Sequence, residues 1–468
     1  MLSRTRTATF VPGAVATVLA ATMVPLLGTP AGAATYGTPT ISLSASYLSG
    51  AVGATGDPAV TVTVAQSGAD ASALTVAASA STKTSVAGTG DVTVSGTGGT
   101  RTLTVAPRAR GYADLTVKVT GLGGKTATKT LHFAASAAVT HAADTRYTTG
   151  SSDASAAVDV GGGYMVVADD ESNVLRLYRR DGSGAPVRTW DIGSKAGASS
   201  EIDIEAGTRA GDTIYWTGSM GNNKDGEIKA DRSTLFATTV TGSGADTQLT
   251  VSGYYEGLRA DLIAWDKANG NRYGFAAGAA SGEIPKAIDG FNAEGMEFAP
   301  GSTSTAYIGF RAPLVPPASG GKALLVPVTN LDKLVGGKPN TSVHATFGTP
   351  VTLDLGGLSV RDIRRNAAGQ YLILAGSWAA DDNSDPYALY SWDGSAGSAP
   401  VKLLDLPTSD PGAWEAVVEV PDLTATGARA QLMTDNGAAD LYGDGKEAKD
   451  LTHPEWQKSR TTWFTLGG

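Results

Sequence analysis

The chain has 468 residues, of which 60 are glycine, none is cysteine and 7% are aromatic, and its formal charge is -9. That length exceeds the roughly 100 to 200 residues of an ordinary domain, so more than one domain is expected. An acidic surface repels phosphate backbones and anionic bilayers, which argues against nucleic acid as a partner. Without cysteine there can be no disulfide, no Cys-ligated zinc and no thiol nucleophile.

Residues 1–33 read as a secretion signal. Arg4 and Arg6 supply the positive start, "FVPGAVATVLAATMVPLLG" the apolar run, and Ala31-Gly32-Ala33 the small residues of a cleavage site. No later segment approaches the roughly 20 apolar residues of a spanning helix. The expected mature protein is extracellular, unattached to membrane after cleavage at Ala33, and monomeric.

From 34 to 135 short runs alternate apolar and polar residues, as in "TISLSASY", "AVTVTVAQ", "DVTVSGT", "TRTLTVAPR" and "ADLTVKVTG". Seven such runs separated by Gly, Asp and Ser predict a small two-sheet sandwich. The phrase "GYADLTVKVTGLGGKTATKTLHF" resembles the closing strands of bacterial Ig-like and cadherin-like modules. No catalytic constellation lies in this segment, which reads as a spacer, and residues 136–144 read as a linker.

A longer repeat begins near residue 145. Dense strands recur at "GYMVVAD", "DTIYWTGS", "TAYIGFR", "QYLILAGS" and "AQLMTDNG", each followed by a further run such as "NVLRLYRRDG", "STLFATTV", "KALLVPVT", "YALYSWDG" or "TTWFTLG". Repetition of this kind predicts an all-β fold, a β-propeller over 145–468 with five clear blades. The stretch "YYEGLRADLIAWDKANGNRYGFAAG" is either an insertion with a short helix or a sixth blade. A pair of sandwiches is the rival fold, and it leaves the repeated order of phrases unexplained.

Glutamates mark the repeat: Glu205 in "DIEAGTRAGDTIYW", Glu294 in "FNAEGMEFAP" and Glu415 in "AWEAVVEV", with Asp362 of "SVRDIRR" as the fourth unit's version. If each lies on an innermost strand, they share a ring around the axis, and crowded carboxylates need a positive neighbour. Ca²⁺ bound by Glu205, Glu294 and Asp362 is one answer. Pairing with Arg209, Arg311, Arg361 or Arg364 is a second, and capping of backbone amides between blades a third. Asp169 and Asp170 of "ADDESN" are further ligand candidates, against the plainer reading of an Asp-rich turn. "DDNSDP" and "DLYGDGKEAKD" lack the ligand spacing of an EF-hand and read first as solvated turns. Nucleophile and zinc motifs are absent, and His132, His141, His344 and His453 all fall outside the predicted inner strands.

The motifs "VVADDESNVLRLY", "DIEAGTRAGDTIYWTGSMGNNKDGE", "NAEGMEFAP", "YIGFRAPL", "KALLVPVTN" and "LDLGGLSVRDIRRNAAGQYLILAG", in that order, resemble the bacterial family catalogued as domain of unknown function 3616. The resemblance covers about residues 150 to 465 and implies a propeller-like β fold without an assigned activity. This chain has "IEA" where "IEG" is expected, "GLSVRDI" for "GRGIRDI", and "MTDNG" for "SDDG", which removes a carboxylate near Asp435. More distantly, its "EGL" phrase is similar to those of phytase-like esterase propellers. Two functions are therefore expected in competition: binding of an extracellular ligand on one propeller face, or calcium-dependent hydrolysis of phosphate esters or sugars.

Overall fold

The computed structural model describes residues 35–337, 339, 341–379 and 386–467. The signal segment 1–33 and the acids Asp381, Asp382 and Asp385 lie outside the described residues. Among the described residues no helix is long and apolar enough to cross a membrane.

Eight strands between Thr40 and Ser136 form two four-stranded sheets. Alternation puts Val60, Val62 and Val64 inside with Leu115, Val117 and Val119 of the facing sheet, while the threonines between them face water. The unit is one strand richer than the seven runs read from sequence.

The remaining described residues form five four-stranded antiparallel sheets, four of them meanders in chain order. Their first strands are Ala154–Gly161, Ile204–Ala210, Asn292–Phe298, Ser359–Arg365 and Ala413–Glu419. Each packs against the first strand of the next sheet and the fifth packs against the first, so the sheets close into a propeller-like ring. Residues 256–291 do not add a sheet. They hold the helix Leu258–Ala268 and a single turn at Phe275–Gly278, whose Leu258, Leu262 and Phe275 cover the core between the second and third sheets.

The fifth sheet is completed by Thr145–Thr149, which pairs antiparallel with the C-terminal strand Lys458–Thr465. Apolar cores fill the gaps between neighbouring sheets, and aromatics such as Trp216, Phe298, Trp392 and Trp414 anchor them. The gap between the fifth and first sheets is different. Its core consists mainly of small residues and methionine, including Ala154, Ala157, Met165, Ala416 and Met433.

Two glycines of the inner strands answer to packing. A Cβ on Gly295 would lie 2.8 Å from Val360 Cγ1 of the next sheet, and one on Gly207 would lie 2.5 Å from the Trp216 ring. "NAEGMEF" carries its glycine because a neighbouring sheet occupies the side-chain volume.

The sandwich is fixed to the ring. Ala134 joins Leu441, Tyr442, Ala448 and Leu451 in one apolar cluster, with Tyr112 and Trp456 at its margin. Ser49 Oγ and Tyr442 Oη lie 2.9 Å apart, and Asp410 accepts the Thr140 N–H at 2.9 Å. Lys458 is fully buried here, donating Nζ to Gly50 O at 2.7 Å while Nζ lies 4.4 Å from the centre of the Tyr147 ring. Such contacts bind the sandwich more closely than the spacer expected from sequence.

Burial pushes the Lys458 ammonium down to about 7, with Asp57 opposing the shift. The folded chain therefore binds fewer protons than the unfolded chain between pH 7 and the ordinary lysine value of about 10.4. The burial penalty is complete below pH 7 and fades as pH climbs through that window. Lys458→Met removes the titrating group, so the rise in wild-type stability between pH 7 and pH 10 should be lost in the variant; urea unfolding of both proteins at the two pH values measures it.

Candidate functional site

Near the start of every inner strand one residue is skipped in the pairing with the second strand. The pairs Ala154↔Asp169 and Ala156↔Ala168 leave out Ser155, and the same skip falls on Glu205, Glu294, Arg361 and Glu415. A bulge of this kind re-aims the extra residue and raises local twist. Repeated five times, it marks one level of the axis, carrying a serine, three glutamates and an arginine. The fourth sheet's equivalent of Glu294 is thus Arg361 and not Asp362, which stands one residue further along. Because alternation sends neighbouring side chains opposite ways, that single step gives Asp362 a different set of partners.

Glu294 is an ion-pair centre. Its carboxylate lies 2.9 Å from Arg311 Nη1 and 3.0 Å from Arg361 Nε, and Asn292 donates to it at 3.1 Å. Arg361 also holds Glu415, with Nε 3.1 Å from Oε2 and Nη2 on Oε1. Both arginines are about 1% exposed. Arg311 further donates to Trp378 O at 3.2 Å and to Ala379 O, which fixes its plane.

Asp362 joins sheets. It accepts the Val417 N–H of the fifth sheet at 2.8 Å and Arg364 Nε at 3.0 Å, while Arg364 Nη2 reaches Ala157 O of the first sheet at 2.7 Å. Burial still pushes the carboxyl up to about 6, opposed chiefly by Arg364. Glu297 plays a similar part, accepting Thr208 Oγ1 at 2.9 Å and the Arg365 N–H at 3.1 Å. Of the other arginines considered, Arg209 donates only to backbone carbonyls.

Glu205 has different company. Oxygen atoms of Glu205, Asp203 and Asp170 all lie within 4.8 Å of one another. Asp203 precedes its strand with φ of +58°, the left-handed region that only a few non-glycine residues visit. Asp170 follows the second strand of the first sheet, Tyr164–Asp169, directly. Burial pushes Asp170 and Glu205 well above the usual carboxylate range; Asp435 and Glu205 add to the effect on Asp170, and Asp203, Glu294 and Glu415 to that on Glu205. Asp203 is pushed up to about 6 by burial, with Arg232 opposing at 2.9 Å. Lys286 opposes the shifts of both Asp203 and Glu205.

A hard divalent cation fits these residues. The donors are all carboxylate oxygens at mutual distances that a Ca²⁺ ion with 2.3–2.6 Å ligand bonds would span. Asp170 Oδ1 is buried without a hydrogen-bond partner among the described residues, so it has an unused lone pair beside the cluster. Asp169 is already engaged by Ser151, Arg176 and the Glu171 N–H, which leaves it a supporting role. The carboxylate group therefore takes Glu205 and Asp170 from the residues expected, adds Asp203, and omits Glu294 and Asp362. "DIE" carried the missing signal, an acid two residues before Glu205 at the entrance of its strand.

Beside the cluster a polar cavity of about 320 Å³ is lined by Ser151, Asp153, Asp169, Glu171, Arg176 and Lys449, among others. Burial pushes Asp153 up to about 6.

No protein-family model and no curated protein matches the chain. Among solved structures, similarity is found to a thermostable family-43 glycoside hydrolase, with a TM-score of 0.33 and 10% identity over 68% of this chain and 89% of the other. An α-L-arabinanase of Penicillium chrysogenum in complex with arabinobiose gives 0.32 and 10% over 68% of this chain and 98% of the other. Likenesses of this strength carry neither a substrate nor a site residue across.

Truncating Glu294 leaves buried guanidinium charge without its counterpart. Glu294→Ala should cost about 3–5 kcal/mol in urea unfolding. Asp170→Asn, which removes charge from a repelling cluster, should be neutral or stabilising in calcium-free buffer.

Proposed function

We propose that this protein is a secreted five-bladed β-propeller with an N-terminal Ig-like module, and that it binds an extracellular ligand at the axial face where the inner strands begin. A divalent cation, Ca²⁺, held by Asp170, Asp203 and Glu205 anchors that ligand. The observation carrying this reading is the convergence of three carboxylates, all raised by burial and two of them, Asp170 and Glu205, also by other acids of the cluster, with one oxygen lacking a hydrogen-bond partner among the described residues. The export-type N-terminus supports the extracellular setting, and the motif order supports placing the ring with the domain of unknown function 3616 proteins.

The cation explains what the fold otherwise bears as repulsion. Metal-free, the native chain holds more protons than the unfolded chain above the ordinary carboxylate values of about 4. The cluster's contribution therefore falls as pH rises from 4 through 6, the value of Asp203. A bound cation displaces those protons, so its affinity should increase over the same range.

Thermal unfolding with EDTA and with millimolar Ca²⁺ at pH 5 and pH 8 tests this. Calcium at about 100 times its dissociation constant adds about 2.7 kcal/mol, giving an upward shift that is larger at pH 8. Asp170→Asn and Glu205→Gln should abolish the shift while keeping the fold. An unchanged melting curve in the wild type at both pH values would overturn the proposal.

A second reading is a calcium-dependent hydrolase of phosphate esters or sugars. It is favoured by the raised Glu205 carboxyl, since a general acid working near neutral pH requires such a group. Steady, calcium-dependent release of nitrophenol from aryl phosphates or aryl glycosides, lost in Glu205→Gln, would select it over binding alone.

A further inference from the structure

The far end of the axis mixes both charges. Glu205 and Arg209 belong to one inner strand, so about 13 Å separates their levels along it. A cavity of about 350 Å³ opens there, lined by Asp159, Arg209, Glu297, Arg364, Arg365 and Glu419 together with apolar and backbone atoms. All five inner strands contribute to it.

Its acids are occupied. Asp159 and Glu419 share Arg180, and Glu297 accepts Thr208 Oγ1 and the N–H groups of Phe298 and Arg365. Arg365 is held by the carbonyls of Ala299 and Ser302. Two guanidinium edges are not occupied. Arg209 donates Nε to Gly211 O at 2.8 Å and Nη1 to Asp159 O at 3.3 Å, leaving Nη2 without an acceptor among the described residues. Arg364 uses Nε on Asp362 and Nη2 on Ala157 O, leaving Nη1 likewise.

The two arginines hang from carbonyls two residues apart on one extended strand, Ala157 and Asp159, so their anchor points are roughly 7 Å apart. That span admits one planar, two-oxygen group with an N–H···O bond on each side. Arg364 is nearly buried, which would make the contact strong, and Arg209 is partly open, which provides entry. We propose that this mouth binds a small organic acid by its carboxylate, gripped between Arg209 and Arg364. The cavity exceeds a bare carboxylate and has room for a short carbon skeleton, with Val158, Val418 and Val420 in its lining.

This site is separate from the carboxylate cluster and stands or falls independently of the cation. Calorimetric titration of the full chain at low salt in EDTA, with succinate and with inorganic phosphate as probes, tests it. Succinate should bind saturably, one per chain, and phosphate at least 10-fold more weakly. Arg209→Gln, whose side chain holds only backbone carbonyls, should weaken succinate by at least 10-fold while keeping the melting temperature near wild type. Glu419→Gln should tighten it several-fold by removing a negative charge from the lining. Absence of saturable succinate binding by the wild type, undiminished binding by Arg209→Gln, or a preference for phosphate would overturn the proposal.

Discussion

A ring of sheets can close only if the side chains that its inner strands push into the axis tolerate one another. Here the bulge near the start of each inner strand fixes which five those are, and three of them are glutamates. Arg361, placed by the fourth bulge, sits between Glu294 and Glu415 and converts two of the three into partners. Arg311 supplies the second charge that Glu294 needs in a buried setting. Glu205 is left over, and with Asp203 and Asp170 beside it, it becomes the place where charge accumulates. The carboxylate cluster is therefore what remains after the rest has been neutralised.

The strain at Asp203 belongs to the same logic. A left-handed backbone at a non-glycine residue costs of order 1–3 kcal/mol, and here it sits in the residue that brings a second carboxylate to Glu205. At the other end the arginines are spent chiefly on carbonyls and on acids of neighbouring strands. The axis consequently runs from an acidic cluster to a mouth of mixed charge over a few residues of strand, a difference that the overall charge of -9 conceals.

Much of this could be read in the chain. The five dense runs are the second strands of the five sheets, and Glu205, Glu294 and Glu415 do fall at one register. Asp362 does not join them, because reading the repeat by charge matches acid with acid, whereas the strand's own pairing skips its neighbour Arg361. No spacing in "SVRDIRR" distinguishes the two, since either residue can follow the bulge. Asp170 stood among the candidates, but its meeting with Asp203 and Glu205 was hidden for another reason: they come from different sheets, and only closure of the ring brings them together. The sandwich junction was equally hidden, because Ala134, Tyr442 and Trp456 look like ordinary apolar positions until both units are folded.

The strand that completes the fifth sheet comes from the segment just after the sandwich, while its partner Lys458–Thr465 is nearly the last of the chain. During synthesis from the N-terminus the sandwich can fold early, but Thr145–Thr149 has nothing to pair with until some 300 residues later. The seam it closes also has the most modest core, built largely of alanine and methionine. Four sheets can assemble beforehand by contacts between neighbours in the chain, and the last step joins segments of very high sequence separation, which is slow. The ring is thus a latch whose final tooth is made last, and until it engages, an edge strand of the fifth sheet stays open to whatever other chain is near.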